Sequence, residues 1–412
     1  MDIHFSRSKK VINFLGILFS FLLLYFFIFA PPFRSLSFGT DKVVFIFSFL
    51  YISFKKQWSR VLALFKMEFF FLLLIFLYST FRGLISGEKI YISYDFLLLV
   101  EVLTVPFFFY ILFESNKYNY RLDKMIVLCA IIASFVSLYL LLNPQTALYF
   151  KTVLLKYPED LVENFYFRGY GFSDGLLFAY PVVLGFCGGM VILGLFENSF
   201  SFIFLFPIII AVFANARSGL IPLFICFLIA FFLNFRFLLK KTLILFLLSI
   251  AFSGLVVLFF SENEMLKTSF DWGMTSFDIA GDLLFSGKKT ENVDTLLNDM
   301  LIFPNGIEWI FGNGEFLFGK DRNGTDIGYL LRLNFGGILY CLLFLFLTIF
   351  MFLRLAKVNR KMAFVLFGSL IYLNFKSDFF IVNPSSRFFF FIYCICILSP
   401  SLFKVLYQKD KT

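Results

Sequence analysis

The sequence predicts an all-α, polytopic transmembrane helical bundle of about twelve spans with one large extracytoplasmic loop. Three observations predict it. Of 412 residues, 60% are hydrophobic and 15% charged, with a mean hydropathy of +0.88, values that belong to a chain solvated by lipid. Apolar runs recur at the roughly 20-residue length needed to cross a ~30 Å hydrocarbon core. Basic residues are concentrated in alternate short loops, the asymmetry that orients membrane helices. A soluble chain of this length would divide into domains, whereas recurring span-length runs describe one bundle.

The first apolar run, 11–30, follows Arg7, Lys9 and Lys10 and so imitates a signal peptide. It is long, however, and no small-x-small cleavage site precedes Pro31-Pro32, so it is read as a retained span. Hydropathy then places spans at 38–54, 64–81, 94–113, 125–143, 173–195, 199–214, 218–235 and 242–260. These complete a first block, 1–260, of nine spans with short loops and a small outer loop near 143–172. Residues 261–325 form the large polar loop, rich in Gly and Asp. Spans at 326–353, 362–376 and 387–406, with a tail, make the last block, 326–412. Within the large loop, 293–303 carries apolar residues at helical spacing and is read as a short helix, packed on the bundle or lying along the membrane surface.

With the amino terminus inside, the segments near 7–10, 55–60, 117–124, 236–241, 354–361 and 404–411 hold more than half of the 36 Lys+Arg. The net charge of +9 is thus a topology signal and not a nucleic-acid footprint. Both termini are expected in the cytoplasm, and the loops 143–172 and 261–325 outside it. All six cysteines lie in apolar runs and the single histidine is His4 in the basic tail. The sequence therefore suggests no disulfide framework, no metal site, no cofactor and no histidine base on the outer face.

Chemistry is sought among outward-facing arginines, because topology depletes positive charge there. Arg217 lies in Asn215-Ala216-Arg217-Ser218-Gly219, the outer turn between two spans, with Ser218 placed to cap the next helix. A cation at a helix amino terminus adds to the positive dipole end and makes sense where an anion binds; snorkelling is the alternative. Arg168 lies in Phe167-Arg168-Gly169-Tyr170-Gly171-Phe172-Ser173-Asp174-Gly175. The glycines let the backbone turn, and Tyr166 and Tyr170 offer flat faces for sugar rings. The other reading is an interfacial aromatic belt with Ser173 and Asp174 as capping residues. Arg387 follows Asn383-Pro384-Ser385-Ser386 and either binds a ligand or snorkels. Arg34, Arg82 and Arg322 lack such turns and are read as solvated. Asp326 is expected in the first turn of the tenth span, capped by Thr325, with Tyr329 and Leu330 on its face. There the helix dipole would lower its pKa, leaving a modest base and a good partner for arginine, or a simple cap.

The stretch WIFGNGEFLFGKDRNGTDIGYLLRLNFGGIL, Trp309 onward, resembles the carboxy-terminal signature of the O-antigen and capsular polysaccharide polymerases. The shared features are a hydrophobic-Gly-x-Gly turn, Asp before Gly-Tyr-Leu, and a Gly-rich turn of helix. Arg168-Gly169-Tyr170-Gly171 and Ala216-Arg217-Ser218-Gly219 are similar to that family too, and the likeness covers roughly 160–390 with its hydropathy plan. The resemblance implies a metal-independent glycosyltransferase of the bacterial inner membrane, acting on glycans linked to undecaprenyl diphosphate at the extracytoplasmic face. It implies that a hydroxyl of one lipid-linked repeat attacks the anomeric carbon of the growing chain and releases polyprenyl diphosphate. Membrane lipid, a flippase and a chain-length regulator are the partners it implies. On this reading Asp326 and Arg217 are catalytic, and Arg168, Tyr170, Arg387 and Tyr329 bind substrate. The related O-antigen ligases carry a histidine near the position of Asp326, absent here, which favours polymerase over ligase.

A lipid-linked oligosaccharide flippase or other transporter is the rival from another class, served by Glu101 in the fourth span and a Lys66/Glu68 pair. It needs no large outer loop, and transporter halves usually resemble one another. A polyprenyl-phosphate-sugar glycosyltransferase would need an acidic pair in the first outer loop, where 31–41 holds only Asp41. Reporter fusions at residues 119, 290 and 410 are expected to read cytoplasmic, extracytoplasmic and cytoplasmic; a cytoplasmic signal at 290 would invert the topology.

Overall fold

The computed structural model describes residues 2–115, 122–157, 159–164, 166–174, 179–193, 205–233, 263–265, 267–269, 271, 300–318, 324–381 and 383–399. In chain order the helices are α1 (Asp2–Ile28), α2 (Thr40–Phe54), α3 (Trp58–Leu64), α4 (Lys66–Ser86), α5 (Ile90–Ser115), α6 (Leu122–Leu142), α7 (Pro144–Tyr149) and α8 (Glu159–Asn164). They continue with α9 (Ala179–Ile192), α10 (Leu205–Asn215), α11 (Leu220–Leu233), α12 (Glu308–Phe311), α13 (Gly328–Val358), α14 (Arg360–Lys376) and α15 (Pro384–Leu398). The protein is all-helical. Among the described residues the β pairing is an isolated bridge between Phe33 and Leu155.

Each predicted span coincides with one of these helices except 242–260, which lies outside the described residues. The helix expected over 293–303 lies outside them as far as 299, and 300–303 is not helical. Among the described residues four helices are long and apolar enough to cross a membrane: α4, Ile90–Phe113 of α5, α6 and α13. Helices α9, α10, α11 and α15 are equally apolar but hold 14, 11, 14 and 15 residues. The apolar side chains of α9 and α15 are buried almost all round, which marks helices enclosed by other helices rather than by lipid. Helix α5 packs on α2, α4 and α15, α9 on α10, α11 and α15, and α13 on α4 and α14.

Among the described residues two helices contain a backbone defect, and in each freed carbonyls are taken up, as a low-dielectric interior requires. Pro106 in α5 lacks the N–H that would bond to Val102, and the Cys394 thiol of α15 donates to that carbonyl at 3.7 Å. In α13, Gly337 adopts φ 67°, ψ −169°, so the carbonyls of the preceding turn lose their helical donors. Asn313 N–H donates to the Asn334 carbonyl (2.7 Å), Gly314 N–H to Phe335 (3.1 Å), and the Tyr78 hydroxyl to Gly336 (2.7 Å). The kink is therefore closed by α4 and the 312–314 turn.

The irregular backbone gathers at one end of the bundle. There the carboxy-terminal ends of α1, α6 and α10 meet the amino-terminal ends of α2, α13 and α15 through side-chain bonds described below. At the opposite end a single acid is shared. Glu68 of α4 accepts from Arg354 of α13 and from the Tyr393 hydroxyl of α15, while Arg354 also donates to the Leu64 carbonyl at 2.7 Å. The partner of Glu68 is thus Arg354, and the expected Lys66/Glu68 pair is corrected: a buried carboxylate takes the cation that its packing neighbour delivers.

A Cβ on Gly337 would lie 2.2 Å from the Ile310 carbonyl oxygen, and its dihedrals are nearly exclusive to glycine. Gly337→Ala is expected to destabilise the protein by about 2 kcal/mol or more, seen as a lower thermal midpoint in detergent. Gly16→Ala, where a Cβ meets nothing within 4 Å, serves as the neutral comparison.

Candidate functional site

The segment 166–174 lies across the loop-rich end and is bonded to the helices under it. Tyr170 N–H donates to Asn215 Oδ1 (3.0 Å), and Asn215 Nδ2 donates to Ser137 Oγ (2.8 Å) and to the Ala211 carbonyl (2.7 Å). The Tyr25 hydroxyl donates to the Gly171 carbonyl (2.7 Å), Asp174 N–H to Phe29 (2.9 Å), and the Tyr157 hydroxyl to Ser173. Three consecutive residues, Tyr170, Gly171 and Phe172, have φ of 47°, 48° and 54°, a strained run held by those bonds. At Gly171 a Cβ would sit 2.6 Å from the Ala133 carbonyl oxygen, so glycine is also what lets the loop lie on α6.

This geometry buries Arg168 to 4% exposure and Tyr170 to 2%. Lys151, from the π-helical turn Phe150–Leu154 that continues α7, is buried beside them, donating to the Tyr166 carbonyl at 2.7 Å with its Nζ 5.3 Å from the Tyr170 ring centre. Burial, and then the Arg168 charge, press the Lys151 amine down to about 7. Burial also presses Arg168 downward against the Tyr170 hydroxyl, which supports its charge. Tyr170 packs on Tyr157 as well; of the two tyrosines expected to offer sugar-stacking faces, Tyr166 is the exposed one. Lys151 was missed in the sequence, where a lone lysine in an outer loop reads as solvated.

Arg387 joins that segment to the rest. At 1% exposure it does not snorkel; Nη1 meets Asp41 Oδ2 of α2 at 2.8 Å and Nη2 meets Asp174 Oδ2 at 2.7 Å. Lys42 pairs with Asp41 at 3.1 Å. Burial pushes the Asp174 carboxyl up to about 6 against the pull of Arg387. Asp174 thus serves Arg387; residues 175–178, where the capping role expected for Asp174 would act, lie outside the described residues. Helix α15 is capped by Asn383, in a reciprocal box with Ser386.

On the other flank, Thr325 Oγ1 accepts from Ile327 N–H at 3.1 Å, and α13 begins only at Gly328 with Ile327 as its cap residue. Asp326 therefore stands before the helix and not in its first turn, and it is exposed. Its pKa is raised, by partial desolvation opposed by Lys376, the reverse of the expected dipole effect, because the carboxyl is not at the helix N-terminus. The Tyr329 hydroxyl donates to the Ile371 carbonyl at 2.9 Å. One turn further, Arg332 pairs with Asp378 Oδ1 through Nε (2.8 Å) and Nη2 (2.7 Å), its guanidinium 3.6 Å from the Phe344 ring centre.

Arg217 opens a short 3₁₀ turn, Arg217–Gly219, directly after the Asn215 that holds Tyr170. Ser218 Oγ is buried with no hydrogen-bond partner among the described residues, so it does not cap α11 as expected; the intervening 3₁₀ turn takes it out of the cap position. Arg82, read as solvated, donates to the Gly312 carbonyl and so belongs to the support of the 312–314 turn. The fold thus brings Arg168, Tyr170 and the Arg217 turn together, sets Asp326 and Tyr329 at the start of α13, and places Arg387 between α2 and Asp174. Glu101, midway along α5, is fully buried and neither carboxyl oxygen has a hydrogen-bond partner among the described residues. No protein-family model, no curated protein and no solved structure matches this chain.

Because the folded pKa of Lys151 lies below its ordinary 10.5, the unfolded chain holds the extra proton between about pH 7 and 10.5, and stability rises with pH across that window. Lys151→Met keeps the packed stem and is expected to flatten that rise and to raise stability at pH 6. Chemical unfolding at a series of pH values checks this; an unchanged slope would relocate the titration.

Proposed function

We propose that this protein polymerises oligosaccharide repeat units carried on undecaprenyl diphosphate into a surface polysaccharide such as O-antigen or capsule. The single observation that carries the reading is the pair of buried cations, Lys151 and Arg168, of which the Arg168 charge presses the Lys151 amine down. A diphosphate between them would relieve that repulsion and accept charge-assisted hydrogen bonds. The Arg217 turn adjoins the same loop through Asn215. Departure of a diphosphate is favoured by donors already in place where its negative charge develops.

In the proposed reaction the acceptor sugar hydroxyl loses its proton to Asp326 while its oxygen attacks the anomeric carbon of the growing chain. The bond from that carbon to the diphosphate oxygen breaks, and polyprenyl diphosphate leaves with the electron pair. The raised pKa of Asp326 suits a general base better than that of an ordinary carboxylate. Twelve spans, cytoplasmic termini and an extracytoplasmic loop at 261–325 in a bacterial inner membrane complete the proposal, with a flippase and a chain-length regulator as partners. The transporter reading is favoured by one observation, the unpartnered Glu101, since an ionisable group at that depth marks many transport pathways.

Asp326→Asn is expected to keep binding of lipid-linked repeats and to lower polymer formation by about 100-fold or more, assayed with purified protein. Arg217→Ala is expected to abolish polymer ladders in cells while the protein still accumulates, with Arg217→Lys rescuing poorly because a point charge does not reproduce a bidentate fork. Near-normal turnover in Asp326→Asn would reduce that residue to a structural part.

A further inference from the structure

Glu101 is fully buried, and neither Oε1 nor Oε2 has a hydrogen-bond partner among the described residues. The next residue, Val102, accepts from the Cys394 thiol of α15, so the turn of α5 that carries Glu101 packs on the helix that carries Arg387. Helix α5 also packs on α2, whose first turn carries Asp41. Across these contacts the Glu101 carboxyl interacts electrostatically with Asp41, Arg387, Lys42 and Asp174. It thus belongs to the ion-pair network at the loop-rich end, although it makes none of that network's bonds.

Two balances in this group close only with one more proton. Three carboxyls, Asp41, Asp174 and Glu101, face the two cations Arg387 and Lys42, which leaves one negative charge in excess. Both Glu101 oxygens and Asp174 Oδ1 are buried acceptors lacking a donor, and Arg387 Nε is a buried donor lacking an acceptor. A carboxylate without a bonded partner is so costly in a low-dielectric interior that the group neutralises instead. A proton on Glu101 removes the excess charge and converts a surplus acceptor into a donor. A metal ion suits the group less well, since among the described residues no three acidic, histidine or cysteine side chains could hold one.

Other titratable groups on the helices around α5 are engaged elsewhere. Glu68 of α4 is held by Arg354 and the Tyr393 hydroxyl, Arg60 of α3 donates to Tyr110, and Asp95 of α5 accepts from Tyr340. The edge of the network away from Glu101 reaches the surface: Asp174 and Lys42 keep 29% and 38% of their side chains exposed. A proton therefore has a polar route to Glu101 that avoids hydrocarbon.

We propose that Glu101 is a proton-binding site, occupied at neutral pH and exchanging with the loop-rich end by way of Asp41 and Asp174. Loss of the proton leaves a carboxylate that competes for Arg387. The hold of Arg387 on Asp174, and with it one end of the 166–174 segment, then follows the charge of Glu101. The site stands apart from the polymerase reading, because it is built from charge balance and burial and from no property of a glycan.

The test uses the full-length protein in detergent and infrared difference spectra between wild type and Glu101→Gln, with Glu101→Leu as a second reference should the first fail to accumulate. At neutral pH the wild type is expected to show the carbonyl stretch of a protonated carboxyl, lost in either variant. That band is expected to move to lower frequency in D2O as the proton exchanges, and to fade as pH is raised. Asp41→Asn removes a negative charge that favours the proton and is expected to lower the midpoint of fading by about one pH unit. Lys42→Gln, at an exposed position, removes a positive charge that opposes the proton and is expected to raise it. Absence of the band at neutral pH overturns the proposal, since Glu101 would then be ionised. A band that fails to move in D2O, or whose midpoint ignores both Asp41→Asn and Lys42→Gln, also overturns it, since the proton would then be sealed off from the network. Polymer formation is scored separately: a wild type that shows the band and makes no polymer would retain the proton site and remove the polymerase reading.

Discussion

Arg387 carries a positive charge into the buried end of the bundle, and the arrangement around it depends on how that charge is met. Its two terminal nitrogens reach Asp41 and Asp174, one at the start of α2 and the other at the end of the strained 166–174 segment. Desolvating such a cluster costs several kcal/mol per ion, so its value is in geometry: once formed, removing one member strands the others without compensation. Asp174 thereby anchors one end of the loop that holds Arg168 and Tyr170, and Asn215 anchors the other side. The position of the Arg217 turn follows, because it begins two residues after Asn215.

The second constraint is backbone satisfaction. The Gly-x-Gly turn at 312–314 and the Gly336-Gly337 turn are more than twenty residues apart in sequence, yet the first supplies N–H donors to carbonyls released by the second. Each thus meets part of the other's backbone hydrogen-bonding need. That interdependence gives a physical reason for the two glycine patterns to occur together in one stretch of chain: one makes the break in α13 and the other repairs it.

The two flanks of the loop-rich end differ in charge. Around Arg168 and Lys151 two cations are buried side by side, whereas at Asp326 a carboxyl is exposed and shifted toward basicity. Between them, Asp378 and Arg387 belong to the same connection between α14 and α15 or its first turn, and bind Arg332 and Asp174 respectively. Two buried cations on one flank and an exposed carboxyl on the other are thus joined through short ion pairs, the frame on which the proposed group transfer would run. The same ion pairs make the frame rigid, since each buried partner is costly to leave unmatched.

Hydropathy and length determined much of this protein by themselves. The spans from 11–30 to 218–235 and from 326–353 to 387–406 coincide with helices, because crossing hydrocarbon demands apolar side chains over a set length regardless of what packs alongside. Arg168, Arg217, Arg387 and Asp326 were legible as unusual charges at helix ends. Tertiary structure alone decided what those charges do. No local pattern could pair Arg387 with residues 346 and 213 positions away, place Glu68 against Arg354, or bury Lys151 beside Arg168. Nor could sequence show that Asp326 stops short of α13, since that depends on Thr325 closing a local turn first. The physical reason is that burial energy is set by backbone position and side-chain type, whereas ion pairing and pKa are set by which distant groups the fold brings within a few ångströms.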